Sequence, residues 1–126
     1  MIARMVEFGV IASVQPVFDA LCGGPDRMYA QRLGVERAMA TNPIGRMHAT
    51  GVTLAFGSDS PVTALDPWTS VLAAAAPRNP VYRMSVRSAF AASTRGGWRA
   101  AGVGDTGTLA PGAPATFAVW ATPGGV

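Results

Sequence analysis

Apolar residues gather in two short unbroken runs, separated by stretches in which they recur at helical spacing. The first run, Phe8 to Val14 (FGVIASV), is rich in β-branched residues and stops at Gln15-Pro16, which predicts a strand. It does not alternate strictly between apolar and polar, so both of its faces are expected to be covered, as in a parallel sheet under helices. The second run, Val52 to Phe56 (VTLAF), predicts another strand and ends in the turn Gly57-Ser58-Asp59-Ser60-Pro61. About 40 residues separate the two strand starts. With helical material between them, a right-handed βαβ crossover fits better than a hairpin.

Between and after the strands the spacing predicts helices. Leu21 to Asp26 (LCGGPD) is loop chemistry, and Met28 to Met39 then shows a modest helical pattern around Leu33, Val35 and Met39. A helix is expected from Pro43 to Ala49, with Asn42 as its cap and Gly51 as its stop. Another is expected to run from Asp66-Pro67 to Ala76 and end at Pro77. Ser85 to Ala101 is amphipathic, with Val86, Ala89 and Phe90 on one side and Arg87, Arg95 and Arg99 on the other. After Gly102 the composition turns β-prone, at Thr108-Leu109 and from Thr116 to Trp120. Two strands do not make a sheet that stands alone, so the expectation is a piece of a larger α/β fold with unpaired strand margins.

Composition narrows the function classes. The 126 residues are 49% apolar and 13% charged with a mean hydropathy of +0.27, which excludes a disordered chain. No run approaches the roughly 18 apolar residues of a membrane span, so no membrane partner is expected. The 10 basic residues are all arginines, scattered singly from Arg4 to Arg99, so no basic patch points to nucleic acid. Cys22 is the single cysteine and Arg4 and Glu7 interrupt the first ten residues, which suits a reducing, cytoplasmic setting without a leader.

The candidate chemistry sits at the end of the second strand. A carboxylate at Asp59 would project from the C-terminal edge of the sheet, where α/β proteins assemble their active sites. It could hold a metal or take a proton from an activated water. The same residue type in such a turn also serves simply to cap the next turn. Ser58 and Ser60 flank it, and Gln15, at the end of the first strand, reaches the same edge, either to bind substrate or as a polar strand terminus. His48, the one histidine, is expected on a helix as a surface residue, since one imidazole makes no histidine metal site. Cys22 has no evident histidine neighbour and reads as a small apolar residue. There is no GxxxxGK[ST] phosphate loop and no GxSxG nucleophile elbow.

Taken in order, GVIASVQPVF, RLGVERA, GVTLAFGSDSPVTALDPW and GTLAPGAPATFAVW strongly resemble the C-terminal part of metal-dependent amidohydrolases, nearest to the group that includes N-substituted formamide deformylases. The resemblance covers nearly the whole chain, and the GSDSPV turn with its DPW sequel is the most specific element. It implies a partial (β/α)8 TIM barrel: residues 1–104 would give the last two strands and their helices, and 105–126 the start of a C-terminal β-sandwich segment. By the same resemblance, Asp59 is the aspartate of the final barrel strand, which touches a divalent metal, zinc in the first instance, and carries the proton from attacking water to leaving nitrogen. Ser58, Ser60 and Gln15 would shape the substrate pocket, and the substrate would be a small molecule with a non-peptide or cyclic amide C–N bond. The family's HxH pair, its bridging lysine or glutamate and its later histidines have no counterpart in this sequence, which contains no lysine. The chain alone is therefore expected to be inactive and to need the remainder of the barrel or a homologous chain. A non-catalytic module that pairs through its strand edges with another chain is the alternative.

Overall fold

The computed structural model describes residues 1–103 and 106–121. Two parallel strands form its centre: β1 (Ile11–Val14) pairs with β2 (Thr53–Phe56), Ile11 opposite Thr53 and Val14 opposite Phe56. The parallel crossover expected from the spacing is thus present. Each strand is entered from a helix that ends in a left-handed turn. After α1 (Ile2–Glu7), Gly9 adopts φ +61, and the Gly9 and Val10 amides close back on the Val6 and Met5 carbonyls at 3.0 and 2.8 Å. That turn consumes the first half of the apolar run, so β1 starts three residues later than the sequence predicts. Ahead of β2, Gly51 at φ +99 ends a helix the same way, with Gly51 and Val52 amides on His48 and Met47 carbonyls, both at 3.0 Å. Glycine at these two points avoids the steric penalty that a Cβ meets at positive φ.

The crossover contains α2 (Val17–Cys22), α3 (Met28–Leu33), α4 (Val35–Ala40) and α5 (Ile44–Thr50). The single helix expected over Met28 to Met39 is in fact two, because Gly34 lies at φ +80 and ψ 155, outside helical space. Asn42 does not cap α5. It sits at φ +50, its carbonyl accepts from the Ile44 amide at 2.7 Å, and its buried Nδ2 has no hydrogen-bond partner among the described residues. After β2 come α6 (Pro67–Ala75), a 3-10 turn at Pro80–Tyr82, α7 (Val86–Ser93) and α8 (Arg95–Ala100). The helix expected over Ser85 to Ala101 therefore breaks, at Thr94 (φ −117, ψ −86). The break brings α8 onto the strand, where Gly96 lies directly against the backbone of Leu54 and Ala55.

The core lies between the sheet and these helices. Ala12 and Leu54 meet Val71 and Ala74 of α6 and Ala89 and Ala92 of α7. Mostly small residues let the helices approach closely, at the cost of little apolar area per residue. Pairing to β1 uses the backbone groups of Thr53 and Ala55, so those of Leu54 point to the far side of β2. There the Leu54 carbonyl faces Gly96, which covers the middle of a margin expected to be open.

A contact that links distant segments fastens α2 to the chain after α6. Asp19 is buried, its Oδ2 accepts the Arg78 amide at 2.8 Å, and the Arg78 guanidinium donates to the Ala20 carbonyl at 2.8 Å. Asp19→Ala leaves that amide without its acceptor and is expected to cost about 1–3 kcal/mol of stability. Urea denaturation measures it, and an unchanged midpoint would show the contact to be idle.

Residues 106–121 hold no strand; Thr108-Leu109 and Thr116 to Trp120, expected to be β, are irregular. A β segment needs a ladder partner for its amides and carbonyls, and among the described residues none lies alongside. Instead Trp120 sets its edge on Trp68 at 5.5 Å, and Trp68 stacks on Phe90 at 5.4 Å. The expected boundary at residues 104 and 105 falls outside the described residues. No described helix is long and apolar enough to cross a membrane.

Candidate active-site rim

The C-terminal ends of β1 and β2 lie side by side because their register is in step. One more ladder bond, Gly57 amide to Val14 carbonyl at 3.1 Å, carries the pairing past β2 and puts Gln15 level with Gly57. The chain then turns sharply on its own hydrogen bonds. The Ser60 amide donates to Ser58 Oγ at 3.2 Å, the Val62 amide to the Asp59 carbonyl at 2.8 Å, and the buried Thr63 hydroxyl to the Ser58 carbonyl. Thr63, which carries no signal of this role in its neighbours, is the internal anchor of this turn. Asp59 occupies the left-handed region at φ +57, which Asp and Asn tolerate better than other side chains.

The four expected site residues share this rim but not one cavity. Asp59 and Ser60 are exposed, Gln15 is half-buried at the end of β1, and Ser58 alone lines a concavity of about 360 Å3 with Phe56, Leu65, Asp66 and Ser93. Two carboxylates therefore stand near the rim, and their surroundings separate their chemistry. Asp66 is engaged: Oδ1 accepts the Trp68 and Thr69 amides at 3.0 and 3.1 Å, and Oδ2 the Thr69 hydroxyl at 2.5 Å. The Thr69 hydroxyl above all, then the two amides, hold its carboxyl below the ordinary aspartate range. Asp59 has no such side-chain partner among the described residues, so its carboxylate is left unengaged.

The lowered Asp66 value gives a sign and a test. Its ionised form is favoured in the folded chain, so its support of α6 is complete at neutral pH and is lost as pH falls below about 4, through the folded value. Thr69→Val removes the largest cause and is expected to raise the Asp66 titration toward the ordinary value. Carboxyl NMR titration reads this directly, and an unmoved midpoint would assign the shift elsewhere.

Away from the rim, His48 is exposed at the end of α5, as expected. Cys22 is a free thiol whose titrating neighbour is Tyr29. Burial first, then Cys22, pushes the Tyr29 phenol upward. Among the described residues no three His, Cys, Asp or Glu side chains converge on a point that could hold a metal ion. A catalytic zinc takes about three protein ligands. The described residues therefore do not by themselves make a metal centre.

Comparison with known proteins fits this picture. A crystal structure of an uncharacterized metal-dependent hydrolase from Pyrococcus furiosus superposes with a TM-score of 0.77 at 29% identity, covering 90% of this chain and 24% of that one. The chain thus spans about a quarter of the length of that hydrolase. No match was found among curated proteins. The amidohydrolase family pattern runs through residues 1–124, across both strands and the Asp59 turn, and the chain belongs to that family.

Proposed function

We propose that this chain forms the last two strands and helices of a (β/α)8 barrel in a metal-dependent amidohydrolase that hydrolyses a non-peptide or cyclic amide C–N bond of a small molecule. The observation that carries the reading is Asp59: an unengaged carboxylate at the C-terminal end of a parallel strand, in a turn fixed by Thr63 and Ser58. Asp59 accepts a proton from the attacking water as the water oxygen bonds to the carbonyl carbon, then delivers that proton to the nitrogen as the C–N bond breaks. One C–O bond forms, one C–N bond breaks, and the amine leaves neutral. Ser58, Ser60 and Gln15 supply polar groups around the substrate. A divalent cation, zinc, would be held by side chains from outside this polypeptide, with Asp59 as this chain's contribution.

The rest of the barrel, in the same or a homologous chain, is the partner this reading requires. Ile11 and Ser13 of β1, whose backbone groups point away from β2, offer it a ladder. A cytoplasmic site of action belongs to the same proposal. The chain by itself is expected to turn over no amide. The experiment is Asp59→Asn in a catalytic unit that joins this segment to the rest of the barrel. Loss of hydrolysis supports the reading, and unaltered hydrolysis leaves a non-catalytic pairing module in its place.

A further inference from the structure

We infer that Thr63 is a positioning residue for the proposed hydrolysis: its buried hydroxyl fixes the peptide unit ahead of Asp59 and so aims the carboxylate. Thr63 has this role on the hydrolase reading, since it acts through the proton carrier proposed there. The direction of a Cα–Cβ bond is set by the two peptide planes that meet at that Cα. The plane after Asp59 is held at both ends, its carbonyl accepting the Val62 amide at 2.8 Å and its Ser60 amide donating to Ser58 Oγ at 3.2 Å. The plane before Asp59 is held at one end only. Its Ser58 carbonyl accepts the Thr63 hydroxyl, and its Asp59 amide has no acceptor among the described residues.

Burial sets that one bond apart. From Asp59 to Thr69 every residue is exposed except Thr63, at 6% exposure. The main-chain donors Ser60 and Val62 therefore sit where water competes for them, whereas the Thr63 hydroxyl is shielded. The bond also supports a conformation that does not sustain itself: an L-residue at φ +57 crowds its Cβ against a carbonyl oxygen and keeps that geometry only where its surroundings impose it. Without the hydroxyl the Ser58–Asp59 peptide can rotate, φ at residue 59 relaxes to negative values, and the carboxylate turns off its line to the substrate. Valine has the shape of threonine without the donor, so Thr63→Val deletes the aim and keeps the proton carrier.

A double-mutant cycle tests this in the catalytic unit that joins this segment to the rest of the barrel, with hydantoin as a cyclic amide probe and N-formylbenzylamine as an open one. Thr63→Val is expected to lower kcat about 10–100-fold with KM within about twofold, the scale of a misplaced reacting group, and Thr63→Ser to restore the rate to within about threefold. In an Asp59→Asn background, Thr63→Val is expected to change the residual rate by less than about twofold, because no proton carrier is left to aim; a merely structural loss would multiply with it. A crystal structure of the Thr63→Val unit is expected to show residue 59 outside the left-handed region. Should circular dichroism show that Thr63→Val does not fold, Thr63→Cys, a weak donor of similar size, takes its place and is expected to lower kcat about threefold or more. A folded variant at the parent's rate, losses that multiply, or an unmoved φ at residue 59 overturns the role of Thr63 while a large loss in Asp59→Asn leaves the hydrolase reading standing. Asp59→Asn at the parent's rate, or a parent that hydrolyses neither probe, overturns both together.

Discussion

Asp59→Asn is expected to lower amide hydrolysis by roughly 10²–10⁴-fold in a catalytic unit containing this segment, the range typical of losing a positioned proton carrier. Asparagine is the informative replacement because it preserves what the turn requires. It matches aspartate in shape, tolerates the φ of +57, and leaves the main-chain bond from Val62 to the residue 59 carbonyl in place. What it removes is the ability to take a proton. Alanine would confound the result by adding backbone strain at a left-handed position. Circular dichroism and metal content are expected to stay as in the parent, so the fall in rate isolates the proton transfer. A rate within about threefold of the parent would strip Asp59 of that role, and a matching loss of metal would make it chiefly a ligand. Asp66→Asn is the companion measurement. Its carboxylate is spent on the amides and hydroxyl of Trp68 and Thr69, so hydrolysis is expected to change far less than with Asp59→Asn.

What the sequence showed of this fold was local. The Asp66-Pro67 start of α6 and the Gly51 stop of α5 are decided by a few adjacent atoms, and both are where the residues put them. The place of the Asp59 turn at the end of β2 was legible for the same reason, since an apolar run followed by a polar turn puts the turn at a strand end. Features set by distant partners were not legible. Nothing near Asp19 announces the Arg78 amide 59 residues away. The one-helix readings of Met28 to Met39 and Ser85 to Ala101 failed because periodicity ignores backbone breaks: a left-handed glycine at 34, and at 94 the turn that seats α8 on the sheet. The β-prone tail reads as strand by propensity, yet a propensity without a ladder partner yields irregular chain.

Gly96→Ala is expected to be among the most damaging small substitutions in the chain, and its neighbour supplies the control. A Cβ on Gly96 would be driven into the Leu54 carbonyl oxygen, with the Leu54 carbonyl carbon at 3.1 Å and Ala55 Cα at 3.2 Å. The atoms it meets are strand backbone and cannot rotate aside, so either α8 lifts or the sheet bends. Overpacking of this kind costs about 1–3 kcal/mol where side chains can yield, and a rigid backbone puts the cost at or above the top of that range, ~3 kcal/mol. Because α8 rests on β2, the damage also reaches the strand that carries the Asp59 turn. Gly97, one residue on in the same helix, has nothing within 4 Å of a built Cβ and no left-handed φ. There alanine removes only the entropic penalty of glycine in a helix, and a gain of roughly 0.5–1 kcal/mol is expected. Denaturant midpoints of the two variants should therefore move in opposite directions. Similar small shifts for both would mean that α8 does not press on the Leu54 carbonyl.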